Sequence, residues 1–407
     1  MSPLRSSAFR WLGCSTLAST GAQWMERTAT SWLVLQVGGG AFAVGLALAA
    51  RMLPSLLLGL AAGTIADRAD RRRQLLGVAG AACLLLAAVG WAFGLGTAQV
   101  WQVVAVTFAL GCVQVFDTPA RQALVLDTVP GELAQRALAV NALAGRLAGA
   151  AGAFLAGLII PLGGVPRCYL VVAALYGLSA LVITRLRVPR ARRPSGERPP
   201  FTRALREAAR LLVDVPAIRT LSIAGVACEI FAFSHGSALP IVAQDVLRAG
   251  VEGLGTLNAA GAVGSTIAVG LLTLLPGRVP REPVLGAIFV GYGLSLLALS
   301  AAPSLAVAAA VMVATGICAG SFDVLQQTLI QLAVPPEQRG RAVGIWVLGL
   351  GSARVGHLEM GFLAGTLGAP GALLINGGLT LVSAATLLVR APGYRLAARR
   401  RSRAQEG

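Results

Sequence analysis

Apolar residues gather in twelve long runs, separated by clusters of glycine, proline and arginine. Six runs lie near 9–36, 41–64, 75–95, 98–120, 137–161 and 168–187. Six more lie near 217–243, 252–275, 284–302, 304–331, 340–366 and 370–390. Each approaches the roughly 20 mainly apolar residues that an α-helix needs to cross a bilayer. The pattern predicts an all-α membrane protein with twelve transmembrane helices. The runs need not be uniformly apolar, because a helix facing a protein interior or a watery cavity tolerates polar groups. The first run is too long for a signal peptide, and Glu26 and Arg27 interrupt it.

The longest polar stretch lies between the sixth and seventh runs. It begins PRARRPSGERPP and continues FTRALREAARLLVDV. The first part reads as a linker. In the second, Phe201, Leu205, Ala208 and Leu212 recur at helical spacing, which predicts an amphipathic helix on the membrane surface. The expected organisation is therefore an N-terminal six-helix bundle at 1–188, a linker at 189–215, a C-terminal six-helix bundle at 216–392 and a basic tail at 393–407. The halves resemble each other. VFDTPARQALVLDTVPGELAQRALAV follows the fourth run and SFDVLQQTLIQLAVPPEQRGRAVGI the tenth, 205–206 residues later. Two parallel repeats joined by a linker suit a transporter whose halves rock about a central site.

Composition fits this picture. Of 407 residues, 56% are hydrophobic and only 13% charged, against about 45–50% and ~25% in soluble domains. A soluble enzyme and a disordered chain are both excluded. The formal charge is +17, and every basic residue is arginine. With the N-terminus inside, 28 of the 34 arginines fall in cytoplasmic segments and only Arg167 and Arg248 fall outside. That distribution obeys the positive-inside rule and places both termini in the cytoplasm. It also argues against nucleic acid as a partner, since the arginines line the membrane edge. Six scattered cysteines without a CxxC pair, and two histidines, offer neither a disulfide framework nor a metal site.

Between the second and third runs stands Gly63-Thr64-Ile65-Ala66-Asp67-Arg68-Ala69-Asp70-Arg71-Arg72-Arg73. This resembles the loop motif of the major facilitator superfamily, G-x-x-x-D-R-x-G-R-R/K, with Asp70 where glycine is usual. The stretches WMERTATSWLVLQVGGGAFAVGLALAARMLPSLLLGLAAGTIADRADRRR and FDTPARQALVLDTVP are similar to the branch of enterobactin-type siderophore exporters and transmembrane secretion effectors. The resemblance implies a secondary transporter of a bacterial inner membrane, an exporter driven by an ion gradient, with no cofactor. It also implies a cytoplasmic gate of Gly63, Asp67, Arg68, Arg71, Arg72, Asp117, Arg121 and Arg341, in which Asp67 faces the start of the eleventh span and Arg71 pairs with Asp117. Two antiporter features are missing. Thr107 and Leu110-Gly111 stand where an arginine and Gln-Gly are usual, and Gly145, Gly149 and Gly152 lack the usual following proline.

Ionised side chains at mid-bilayer cost about 2.5–3.5 kcal/mol each on insertion scales. Glu26, Arg27, Arg51, Arg146, Glu229 and Arg354 fall near that depth, with His357 and Glu359 further out. They are expected to line a polar cavity, with Glu26 meeting Arg51 and Glu229 meeting Arg354. Arginine does not titrate, so Glu26, Glu229 and Glu359 are the candidates for proton coupling. Gln23, Gln114, Asn258, Gln326 and Gln327 join Arg27, Arg51, Arg146, Arg354 and His357 as cavity candidates. The arginine excess points to an anionic or amphipathic metabolite. An importer of the same fold and a transport-inactive scaffold are the alternatives. An intramembrane enzyme lacks its signatures, since neither Gly-x-Ser-x-Gly nor His-Glu-x-x-His occurs. A lipid bilayer and a small-molecule substrate are the expected partners, and a monomer suffices for a path.

Overall fold

The first helix, α1 (Ser7–Gln36), is built inside out. Ser15, Thr16, Ser19, Glu26, Thr28 and Thr30 are buried, while Trp11 and Leu17 are exposed. In water this would be a misfolded helix; in lipid it is the favourable arrangement, because only the interior can satisfy polar groups. The same inversion holds elsewhere, where leucine, valine and phenylalanine dominate the exposed side chains. The computed structural model describes residues 3–68, 70–96, 98–186, 210–274, 279–335 and 338–405, with side chains described except at 59–68, 273, 340, 341 and 390–405. The linker and its expected amphipathic helix lie largely outside the described residues.

The longer helices that follow among the described residues are α2 (Gly40–Arg68), α3 (Arg71–Gly94), α4 (Val100–Gln114), α5 (Asp117–Asp127), α6 (Ala134–Thr184), α7 (Pro216–Ala227), α8 (Gly250–Thr273), α9 (Arg281–Ser300), α10 (Leu305–Leu332), α11 (Arg339–Leu350) and α12 (Ala353–Gln405). Among the described residues no strand occurs. Nine stretches of the described residues are long and apolar enough to cross a membrane. Helix α1 is not among them, because its interior polar residues lower its hydropathy.

Two of the nine stretches are long enough to cross twice. Gly131–Thr184 holds 54 residues, about 80 Å if it were one straight helix. It is broken at Gly164, whose φ of 75° suits glycine. Contacts with α1 show that the chain reverses there. Asn141 accepts from Thr16 at 2.8 Å and Gly152 packs on Gly21, so the first half climbs α1. Tyr169 then bonds Thr30 and Ser179 bonds Ser15, both at 2.9 Å, so the second half descends it. Helix α12 repeats the device at Gly368, with φ 74°. Glu359 and Asn376 meet across that reversal at 2.9 Å. Both turns read Gly-x-Pro, as Gly164-Val165-Pro166 and Gly368-Ala369-Pro370, with proline early in the restarted helix, where it fits.

Packing divides the chain into two units. One is Met1–Ser195 with Leu239–Val263; the other is Gly196–Ala238 with Gly264–Gly407. The linker-based reading assigns 239–263 to the C-terminal bundle, whereas these residues pack with the N-terminal ones. Gly157 and Gly255 meet backbone to backbone, and Asn258 donates to Thr28 at 3.4 Å. Missing side chains permit that approach.

In the first unit, Leu86, Leu110, Tyr169 and Val172 are fully buried in the core. In the second, Phe289, Phe322 and Tyr292 are, with the two phenylalanine rings 4.9 Å apart. The seventh span is irregular. After α7 the chain winds as a π-helix over Cys228–Ala232 and a 3₁₀-helix over Phe233–Ser237. A single α turn at Leu239–Ile241 and a second π-helix at Val242–Val246 complete it. Such insertions are concentrated at functional sites.

Candidate functional site

Three polar clusters stand out in this apolar chain. The first lies inside the N-terminal unit. Gly111 packs on the backbone carbonyl of Arg51, which brings α2 and α4 close. Arg51 forms an ion pair with Glu26, and the two residues are 7% and 1% exposed. Glu26 also accepts from Thr30 at 2.8 Å. Gln114 gathers the rest: it accepts from Arg51 at 2.5 Å and from Gln23 at 2.7 Å, and donates to Tyr176 at 2.5 Å. Every polar atom in this knot has a reason to be there, which is what a buried ion pair requires. The expected Glu26–Arg51 meeting therefore occurs. Arg27 lies beside it, its guanidinium 5.0 Å from the Trp24 ring. Its Nε is buried and has no hydrogen-bond partner.

The second cluster lies inside the C-terminal unit, around the wound part of the seventh span. Gly356 lets α12 press on the carbonyl of Ile230. His357 Nδ1 bonds Ser237 at 2.8 Å. Asn376 donates to Glu359 at 2.9 Å and to Ser234 at 3.3 Å. Tyr292 stands edge-on to Phe233 and to His235. Glu229 is half-buried, with Asp323 the acid in its electrostatic reach. The expected Glu229–Arg354 pair is not found among the described residues; Arg354 donates to the carbonyl of Gly351 at 2.6 Å. That carbonyl lies where the helix breaks between α11 and α12.

The third cluster sits at the ends of α3, α5 and α6. Asp70, in place of the usual glycine, caps α3 by accepting from the backbone of Arg72 and Arg73 at 3.0 and 3.2 Å. Arg71 pairs with Asp127 at 2.6 Å, not with Asp117. Asp117 is already held by both arms of Arg121, at 2.7 and 2.8 Å, one helical turn away on α5. Asp127 closes α5 and so lies nearest the start of α3. Arg121 also reaches Ser15 and Thr16 on α1. Arg72 donates to the last carbonyls of α6, Ile183 and Thr184. The side chains of Gly63, Asp67, Arg68 and Arg341 lie outside those described.

Other candidates scatter. Arg146 is half-buried on α6, and Gln327 half-buried on α10. Gln326 ties α10 to α7 by donating to the Leu221 carbonyl at 2.9 Å, with Gly225 flat against it. That is a packing role. Sequence reasoning did not single out Thr30, Tyr169, Tyr176, Asp127, Ser234, Ser237 or Asn376. Asn376 carried a readable signal, being one amide in a long apolar run.

The sequence profile of the transmembrane secretion effector family matches residues 1–404. The chain belongs to that family. No curated protein matches it in sequence. Among solved structures, a bacterial homologue of the human lysosomal transporter Spinster, inward-facing and unoccupied, is similar with 16% identity, 97% of each chain covered and a TM-score of 0.67. The nucleoside transporter NupG is similar with 13% identity, 94% of this chain and 98% of that chain covered and a TM-score of 0.75. A POT family transporter in complex with 5-aminolevulinic acid is similar with 11% identity, 95% and 96% covered and a TM-score of 0.75. These likenesses show the major facilitator fold. This family member is a multi-pass membrane transporter of that fold, and its family and structural neighbours are transporters, not enzymes.

Proposed function

We propose that this transporter is a proton-coupled exporter of a small anionic, amphipathic metabolite, working by alternating access in a bacterial cytoplasmic membrane. Twelve spans in two six-helix bundles, with both termini and the 189–215 linker in the cytoplasm, support that reading. The two Gly-x-Pro reversals each turn one long helical stretch into two spans, and α1 adds its own. The charged network of Arg71, Asp127, Asp117 and Arg121, with Asp67 and Arg341, serves as the cytoplasmic gate. No cofactor is needed, and one copy of the chain suffices.

One observation carries the choice of an anion. The polar interior of the N-terminal unit holds Arg27 and Arg51 against a single carboxylate, Glu26. Arg51 uses that carboxylate. Arg27 is left with a buried Nε that no protein group satisfies. A buried N–H without an acceptor is costly, and an anionic cargo supplies one. The neighbouring Trp24 favours a cargo with a flat apolar body. The test is uptake into inside-out vesicles under an imposed pH gradient, comparing 2,3-dihydroxybenzoate with a lipophilic cation. Accumulation of the anion, lost in Arg27→Gln, is the expected result. Transport restricted to the cation overturns the reading, and uptake only into right-side-out vesicles reverses the direction.

A further inference from the structure

Asn376 is fully buried, at 0% exposure. Its Nδ2 donates to Glu359 and Ser234, but its Oδ1 has no partner. A buried amide oxygen without a donor is costly inside a membrane protein. The arrangement would make sense if the missing donor came and went. Turning the side-chain amide by half a rotation would set Oδ1 against Glu359 and Ser234. Only a protonated Glu359 could then donate to it; a carboxylate would repel it. Each orientation of the amide matches one protonation state of Glu359.

We propose that Glu359 binds and releases the coupling proton and that the Asn376 amide passes its state to the wound part of the seventh span. This rests on the reading of a proton-coupled transporter. When Glu359 is ionised, Asn376 donates to it and to Ser234. The Ser234 hydroxyl donates to the Phe231 carbonyl at 3.3 Å, inside the π-helix. When water delivers a proton to a Glu359 oxygen, the new O–H donates to Oδ1. Ser234 then turns its own hydroxyl to the same oxygen and lets the Phe231 carbonyl go. Glu359 and Asn376 flank the Gly368 reversal, and Ser234 sits on the 3₁₀ segment. One proton therefore acts on three pieces of chain, one of which is already irregular and cheap to move.

The surroundings fit. Among the described residues Glu359 takes part in no ion pair. It is half-buried. Asn376 is the group that bonds it, while Glu229 and His235 lie on the wound segment, Tyr292 on α9 and His357 on its own helix. His357 is engaged with Ser237 and His235 with the Ala232 carbonyl. Glu26 is a poor rival, because Arg51 and Thr30 hold both of its oxygens.

The experiment uses the full chain in proteoliposomes. Wild-type protein should accumulate 2,3-dihydroxybenzoate under a pH gradient and move protons with it. Glu359→Gln and Asn376→Leu should keep exchange of internal for external cargo within about threefold while gradient-driven accumulation falls at least tenfold. If the wild type moves cargo but no protons, both the coupling and this assignment fall. If the wild type is coupled and both variants stay coupled, this assignment alone falls. Folding of the variants is bypassed by treating wild-type protein with dicyclohexylcarbodiimide, which reacts with protonated carboxyls in membranes. Mass spectrometry should find the adduct at Glu359, increasing as pH falls, and absence of that adduct across the pH range overturns the assignment.

Discussion

Replacing Glu26 with glutamine should be among the most damaging single changes in the N-terminal unit. The substitution keeps size and shape but removes the charge that answers Arg51. Arg51 is 7% exposed, so its guanidinium cannot turn to water. Gln114 still accepts one of its hydrogen bonds. Breaking a buried pair from one side costs about 3–5 kcal/mol, because a lone charge remains. Arg51→Met should be milder, since the carboxylate it strands can take up a proton, which a guanidinium cannot do. With Glu26→Leu as the matching single, Glu26→Leu combined with Arg51→Met leaves neither charge of the pair behind. Its loss should fall short of the summed single losses by about 2–3 kcal/mol, roughly 30- to 140-fold in the unfolding equilibrium. Denaturant titration of the protein in lipid nanodiscs, run as a double-mutant cycle, measures this. Additivity to within about 0.5 kcal/mol would refute the argument that each charge depends on the other.

The reversals and the gate give two further tests. Gly164→Ala and Gly368→Ala each place a Cβ at positive φ, which should destabilise each variant by about 1–2 kcal/mol and show as a lower melting temperature in detergent. Arg71→Ala and Asp127→Asn should weaken transport by similar factors, with the double variant no worse than either, in vesicle uptake rates; if Arg71→Ala instead tracks Asp117→Asn, the pairing is wrong.

Much of the fold was legible because the membrane imposes it. Runs of about 20 apolar residues follow from lipid and need no packing detail. The Glu26–Arg51 pair was legible too, as opposite charges stranded at matching depth on adjacent spans. Pairings at the membrane edge were harder to read. There Asp117 had two arginines to choose from, and the choice fell to Arg121, four residues on along one helix face, a contact fixed by α5 itself. The Glu229–Arg354 expectation failed for a related reason. Depth matched, but among the described contacts Arg354 donates to the Gly351 carbonyl at the break before its own helix. Irregular winding of the seventh span left little trace in the sequence, because π and 3₁₀ turns preserve the apolar pattern that was being read.

The two halves repeat their backbone but not their charges. Gly-x-Pro reversals recur 204 residues apart, and positive-φ turns recur at Gly38 with Gly40 and at Arg248 with Gly250. The acids recur as well: Glu229 lies 203 residues beyond Glu26, and Asp323 lies 206 beyond Asp117. Their arginines do not. In the first half Glu26 meets Arg51 and Asp117 meets Arg121. At the corresponding places in the second half stand Gly261 and Gln327. An acid locked to an arginine keeps its charge and acts as a fixed strut. An acid whose repeat partner has become glycine or glutamine lacks that strut. The first half commits arginines to fixed ion pairs, and the second has glycine and glutamine at the corresponding places, so the asymmetry between the halves lies in the basic partners and not in the acids.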